Sequence, residues 1–486
     1  MIQVYFKGHS YRYELERLIR MFLSTSVIEI DAMPTEAPFI AAAIERSEEA
    51  PLLSVLLDIG GQQLHLSRHA GPEDSEEMAL SRLLYEALMK VTGAPLRWGL
   101  LTGVRPVKLV RGLMDEGIPR DAAKRYFTDH YLVSEEAADL AFDVYDLEKK
   151  AVGRPRADEF GLYISIPFCP TRCSYCSFVS HSIEKMAKLI PDYIDCLCDE
   201  LCETGDIATR LGLKLTSIYI GGGTPTVLDA GQLFRIMDTV RTRFNTSYLR
   251  EYTVEAGRPD TISPDKLAVI REGGADRISI NPQTLDDAVL RGIGRGHTSE
   301  QFFEAFSQAR SAGFSCINTD LIAGLPGDTL SGFASTVDRI VDLSPENITI
   351  HTLSIKRAAH MGRGPLSVAS SGASLVGEML GYARPALIAA GQQPYYLYRQ
   401  QNTLGGFENV GYAQKGHVGL YNIIMMEEIG SVIAAGAGGV TRLVGQSDRI
   451  ARIFALKYPY EYITRPAKRV DRKARIETYY EDCISR

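Results

Sequence analysis

The 486-residue sequence has one tryptophan, Trp98, no excess of positive charge and no long hydrophobic run. No stretch approaches the roughly 20 apolar residues that cross a bilayer as a helix. The opening "MIQVYFKGHSYRYELERLIR" is broken by charge before any apolar run or small-residue cleavage site. These absences predict a cytoplasmic protein with no membrane span, in a compartment where thiols stay reduced. A net charge of −7 gives no overall attraction to nucleic acid, while local basic patches still suit a small anion.

What is present is globular: 45% apolar and 23% charged residues, in a chain too long for one ordinary core. Residues 1–150 read as a mixed α/β accessory domain. "MIQVYFKG" and "LLSVLLDIGGQQLHLSR" alternate like strands, the second with a Gly60-Gly61 hairpin, and "SEEMALSRLLYEALMKVTG" and "EEAADLAFDVYDLEKKA" have helical period. The polar stretch "KKAVGRPRADEFG" reads as a linker. Beyond it, "LYISI", "LTSIYI", "EYTVEA", "DRISIN", "INTDLIAGL" and "NITIHTL" alternate with helical segments, an α/β pattern of parallel strands with crossover helices. Periodicity does not separate an open sheet from a barrel. In either, functional residues belong at the carboxyl ends of the strands. The cysteine loop, "GGGTPT", Glu255, "NPQT", Asp320 with "GLPGD", and His351 fall there in order.

The loop "FCPTRCSYCSF" sets Cys169, Cys173 and Cys176 at C-x3-C-x2-C. A disulfide leaves one thiol unpaired in a reducing compartment. Structural zinc normally takes four ligands, and no second C-x2-C or histidine pair follows. An iron-sulfur cluster uses three thiolates and leaves one iron open to a substrate or cofactor. Spacing alone leaves all three open, each with its stated mismatch.

With Tyr175 before the last cysteine, the motif resembles the radical S-adenosylmethionine (SAM) superfamily. "YIGGGTPT" (Gly221, Gly222, Gly223, Thr224), itself no more than a tight turn, resembles that superfamily's SAM-binding glycine element. The resemblance implies a partial (β/α)6 barrel, one 4Fe-4S cluster held by Cys169, Cys173 and Cys176 with SAM on the open iron, and cleavage of SAM to a 5′-deoxyadenosyl radical. Glu255, Gln283, Arg295 and Asp320 resemble the SAM-contacting positions of the oxygen-independent coproporphyrinogen III oxidase branch, and Tyr163 in "LYISIPFC" fits that branch's pattern. Each alone reads equally as a cap or salt-bridge residue. The cofactor-binding expectation is Tyr163, Gly222, Gly223, Thr224, Glu255, Gln283, Arg295 and Asp320.

The resemblance covers about residues 155–445 and, through "VEAGRPDTI", "DRISINPQT" and the N-terminal "WGLLTGVRPVKLV", is to the HemZ-type coproporphyrinogen III dehydrogenases. It implies a radical SAM core over 155–365 and a C-terminal substrate-covering region over 366–486. It also implies decarboxylation of two propionates of coproporphyrinogen III to vinyl groups, giving protoporphyrinogen IX in haem biosynthesis. An electron donor such as flavodoxin or ferredoxin and an electron acceptor would be partners. Tyr163 and Arg399 are the catalytic candidates. Because Arg binds carboxylates through two parallel hydrogen bonds, Arg399, Lys356, Arg357, Arg105 and Lys108 are candidates for the propionates, though each also reads as a surface charge. Tyr395, Tyr396 and Tyr398 read either as a tetrapyrrole-packing face or as core strand residues.

Cys196, Cys198 and Cys202 read as core positions of a helix, and Cys316 and Cys483 are isolated. One departure matters: better-known coproporphyrinogen oxidases have a further cysteine where Phe178 stands, an ending shared with HemW-type haem chaperones. Haem delivery is therefore the rival function. Against it, the chaperones' "H-N-x-x-Y-W" element is absent from this sequence, whose one tryptophan is Trp98 in the N-terminal domain, and that extra domain has no place in the chaperone group. Another radical SAM reaction on a tetrapyrrole is a third reading.

Overall fold

The computed structural model describes the chain apart from residues 24–26, 35, 49, 72–73, 94, 154, 177–179, 355–366, 401–402, 446–449 and 485–486. Side chains at 185, 367–373, 404 and 483–484 are also outside the description. Phe178, Lys356, Arg357 and the Cys483 side chain thus lie outside the described residues. Contacts divide the protein into two compact units: Met1–Asp143 with Gly362–Glu378 and Tyr398–Glu408, and Val144–Met361 with Met379–Leu397 and Asn409–Arg486.

The first unit is a five-stranded sheet, β1 (Ile2–Lys7), β2 (Val27–Glu29), β3 (Phe39–Glu45), β4 (Leu52–Ile59) and β5 (Gln62–His69), in the order β2-β1-β3-β4-β5. Alternation aims Leu53, Val55 and Leu57 inward. The β4–β5 hairpin turns on Gly60 and Gly61, whose φ of 60° and 79° give the paired left-handed turn that matches strand twist. Helices α1 (Arg12–Phe22) and α2 (Glu76–Thr92) supply Leu15, Leu18, Leu80, Leu84 and Leu88 to the same core. Ser75 caps α2 by accepting from Met78 N at 3.2 Å, and Gly93 in the left-handed region ends it.

Among the described residues of the second unit, six neighbouring parallel strands follow one another in chain order: β6 (Glu159–Ile166), β9 (Lys214–Gly222), β10 (Glu251–Glu255), β11 (Arg277–Ser279), β12 (Cys316–Ala323) and β13 (Asn347–Thr352). Short β7 (Phe168–Cys169) and β8 (His181–Ser182) form a separate ladder. Successive strands are joined by helices, including Ile190–Arg210, Ala230–Arg243, Pro264–Glu272, Ser299–Ser311 and Leu330–Asp342. Two of these begin with capping boxes, at Asp229 and Thr298, so helix starts are fixed locally. The sheet extends past both ends of this parallel set. On one side come β15 (Glu408–Ala413), antiparallel to β13, and β14 (Gln393–Arg399), and on the other β16 (Ser431–Ala435), which continues the parallel set beside β6, then the antiparallel β17 (Val440–Val444) and β18 (Ile450–Phe454). This is the expected radical SAM α/β order, and among the described residues β14 and β18 are its open edges. In β14, Tyr395 and Tyr396 are core residues, the Tyr396 hydroxyl 3.2 Å from Thr349 Oγ1. Cys198 is buried on the helix Ile190–Arg210, as read for a core position. Cys316 is likewise buried, its thiol donating to Asn347 Oδ1 at 3.0 Å.

Candidate active site

The cysteine loop is held by its neighbours. Phe168 and Cys169 pair with His181 and Ser182. Ser174 N donates to Ile293 O at 3.0 Å, Thr171 Oγ1 to Gly294 O at 3.2 Å, and Cys176 N to Cys173 O at 3.1 Å. None of the three cysteines is in a disulfide, and each is half-buried. Among the described residues no three His, Cys, Asp or Glu side chains are already gathered on a single point, and no fourth ligand joins the three thiols as structural zinc normally requires. Three thiols in one short loop are the donor set that a 4Fe-4S cluster with one open iron takes.

Donors already stand at the sulfurs, as thiolate ligands require. Thr224 Oγ1 donates to Cys169 Sγ at 3.6 Å, and Arg258 Nη1 lies 4.0 Å from Cys173 Sγ and 3.1 Å from Thr171 Oγ1. Burial pushes the Cys169 thiol up, opposed by Ser180 and Thr224. Arg258 is 3% exposed and held by Asp260 through two bonds of 2.9 Å. The sequence reading gave Arg258 no role. Its signal was the Arg-x-Asp spacing in "GRPD", which makes a self-contained fork but does not reveal which sulfur it faces.

The glycine element works through the protein's own packing. A Cβ on Gly223 would meet Phe168 O at 2.4 Å and Ile166 O at 2.7 Å, and one on Gly221 would meet Glu255 Oε2 at 2.6 Å. Gly222 has φ +106°, where side chains rarely go. Their N–H groups serve protein acceptors: Gly222 N donates to Glu255 Oε2 at 3.4 Å, Gly223 N to Ile166 O at 2.8 Å and Thr224 N to Phe168 O at 2.7 Å. These glycines therefore lock the cysteine loop to β9.

Glu255 closes β10 and is half-buried. Burial, then the Asp320 charge, pushes its carboxyl up to about 7, against Gly222 N–H, His351 and Arg295. Burial also raises Asp320, but hydrogen bonds from His351, Asn318 and Thr349 outweigh it and hold that carboxyl below its ordinary value. Asn318 Nδ2 donates to Asp320 Oδ1 at 2.9 Å, and His351 Nε2 lies 3.7 Å from Asp320 Oδ2. One neighbour is thus held as an anion while the other titrates near neutrality.

Gln283 follows β11 with φ +70°, a strained position for a non-glycine residue. Backbone bonds keep it there: its N donates to Asp320 O at 3.0 Å and its O accepts from Ile322 N at 3.0 Å. Its side-chain Oε1 is buried and, among the described residues, has no partner, and the same holds for Arg295 Nε. Arg295 Nη1 donates to Gly257 O at 3.3 Å, and burial works against its charge while Tyr175 and Cys173 favour it. A buried acceptor and a buried donor left unpaired in this way fit a polar cofactor.

Tyr163 stacks with Tyr219 and Tyr421, at centroid distances of 6.3 and 6.2 Å, while Tyr219 and Tyr421 lie 4.5 Å apart. Burial raises all three phenols, so they stay neutral.

Arg399 is placed differently from its sequence reading. It lies in the first unit's Tyr398–Glu408 segment and is 6% exposed. Its Nε and Nη2 donate to Gly406 O at 3.1 and 3.0 Å, Nη1 to Leu101 O and to Gly103 O, and Nη2 also faces Met21 Sδ at 3.3 Å. The guanidinium nitrogens expected to grip a carboxylate thus already bond the loop carbonyls of Leu101, Gly103 and Gly406. Arg105 precedes the helix Pro106–Asp115 and is half-buried, while Lys108 is exposed on that helix.

Parallel strands with a three-cysteine loop at their carboxyl ends define a class, and residues 163–340 match the radical SAM superfamily. The oxygen-independent coproporphyrinogen-III oxidase-like protein HemZ of Bacillus subtilis (strain 168) is 35% identical over 455 residues, covering 91% of each chain. The heme chaperone HemW of the same organism is 37% identical over 195 residues, 40% of this chain and 50% of that one. The solved coproporphyrinogen III oxidase (HemN) of Escherichia coli, described as a radical SAM enzyme, aligns with a TM-score of 0.49 and 22% identity. It covers 67% of this chain and 72% of that one. The chain belongs to the radical SAM superfamily and, within it, to the HemZ group of oxygen-independent coproporphyrinogen-III oxidase-like proteins. Its cofactors are a 4Fe-4S cluster and SAM.

Proposed function

We propose that the protein is a coproporphyrinogen III dehydrogenase, converting two propionates of coproporphyrinogen III to vinyl groups without oxygen. The observation that carries the reading is the likeness to an oxidase-like relative along 91% of the chain, the N-terminal unit included. The HemW likeness, over 40% of the chain for the Bacillus subtilis protein and 61% for a HemW of Escherichia coli (strain K12), supports haem delivery as the second reading.

Cys169, Cys173 and Cys176 would hold the cluster, with Gln283 Oε1 and Arg295 Nε offering partners to SAM and Asp320 fixing the backbone of Gln283. When bound, these cofactors supply one-electron abstraction of a hydrogen that no side-chain base can remove as a proton, because a propionate β-carbon is not acidic. The chain's own work is positioning and exclusion. The neutral Tyr163, Tyr219 and Tyr421 rings form a wall with no ionised group to attract water. Glu255, with its pKa near neutrality, can hold or release a proton beside Gly222. An electron donor such as flavodoxin or ferredoxin and a separate acceptor complete the reading.

The test is anaerobic incubation of cluster-loaded protein with SAM, reductant, acceptor and coproporphyrinogen III, with products read by mass spectrometry. Loss of two carbon dioxide units supports the dehydrogenase. Stoichiometric haem binding with the porphyrinogen unchanged replaces it by the chaperone.

A further inference from the structure

We propose that the first compact unit carries a site of its own for a carboxylate arm of a small polycarboxylate. The site is a cleft between α1 and the segments around Thr102 and Thr403. It stands on that unit alone and does not depend on the reading above.

The cleft encloses a cavity of about 70 Å³ lined by Arg17, Arg20, Arg399, Thr102, Gln400 and Thr403 among others, and no acidic side chain among the described residues lines it. A buried water needs roughly 10–15 Å³ on the same measure, so the space takes a carboxylate with a few waters and excludes a macrocycle.

Arg399 supplies charge from beneath. Burial, reinforced by the Arg17 charge and opposed by Glu408, lowers its pKa to about 10. An arginine driven that far carries an electrostatic cost that a bound anion would relieve. Its guanidinium lies 5.6 Å from the centre of the Trp98 ring, and Trp98 is pinned by Nε1 donating to Glu408 Oε2 at 2.8 Å. The cation is therefore fixed.

Arg17 and Arg20 supply the donors. Arg17 Nη2 bonds Thr102 O at 2.6 Å and Nη1 the Tyr13 hydroxyl at 2.9 Å, which sets its fork at the rim. Among the described residues Arg20 bonds only Glu16, through Nε and Nη2 to one oxygen at 3.0 and 2.5 Å, which leaves Nη1 for a ligand. Three cations facing one small cavity match a planar, doubly accepting carboxylate.

The probe is propane-1,2,3-tricarboxylate, titrated into the full chain at constant ionic strength, with inorganic phosphate in a parallel titration. Binding is read by calorimetry and by emission of Trp98, the chain's one tryptophan. The expected result is saturable tricarboxylate binding, weakened about tenfold by Arg17→Gln and by Arg20→Gln, the loss of one charge-assisted contact each. Glu16→Gln, which releases Arg20 without touching the core, should tighten it severalfold. Absence of saturable binding in the wild type, wild-type affinity retained in both arginine variants, or phosphate binding as tight as the tricarboxylate would each overturn the proposal.

Discussion

Arg258 holds its Nη1 4.0 Å from the sulfur of Cys173 while both of its other nitrogens are clamped on Asp260. A fixed positive donor beside a ligand sulfur stabilises the more negative, reduced state of a cluster. Replacing Arg258 by Gln should leave iron content unchanged and make the cluster potential more negative by on the order of 50 mV, equivalent to about 1 kcal/mol for one electron. Anaerobic redox titration checks this, and an unchanged potential would show that Arg258 only braces the loop.

The three cysteines give a second expectation. Replacing Cys169, Cys173 or Cys176 with Ala should each reduce iron and cluster absorbance after reconstitution to near background, while Cys198→Ala, a core position on a helix, should leave both intact. Full cluster absorbance in any of the three variants would remove that residue from the ligand set.

Gly223 separates packing from ligand contact. An added methyl would sit 2.4 Å from Phe168 O, so Gly223→Ala must displace the start of the cysteine loop. The expected cost is about 3 kcal/mol with poor cluster incorporation. Gly212→Ala, where φ is +64° but nothing stands within 4 Å, should cost about 1 kcal/mol and load normally. Thermal unfolding and iron analysis distinguish the two.

Glu255 predicts a pH dependence with a definite sign. Its carboxyl is raised from 4.5 to about 7 in the folded state, so between those values the folded protein binds more protons than the unfolded chain. Stability contributed by this group is present below about pH 4.5 and falls as pH rises through 7, by up to about 3 kcal/mol. In cluster-free protein, Glu255→Gln should flatten the decline of stability between pH 5 and 8. An unchanged slope would mean that the carboxyl titrates normally.

The strands and helices of the second unit were legible because a parallel sheet writes short apolar runs between helical periods, and the cysteine loop because three thiols in a short span are chemically conspicuous. Sequence separation hid the rest. Arg399 follows an aromatic strand and reads as a hook for substrate, yet its acceptors Leu101 and Gly103 lie about 300 positions earlier in the chain. The glycines signal a tight turn, but only the fold shows that Phe168 and Ile166 fill the space a side chain would need. Orphaned atoms such as Gln283 Oε1 have no sequence signature, because being unpaired is a property of surroundings.

The central claim is hydrogen abstraction from a propionate arm, and isotope transfer tests it most directly. With coproporphyrinogen III deuterated at the propionate β-carbons, the account predicts deuterium in the 5′-deoxyadenosine recovered, together with loss of two carbon dioxide units from the porphyrinogen. Unlabelled 5′-deoxyadenosine beside an intact porphyrinogen would contradict it.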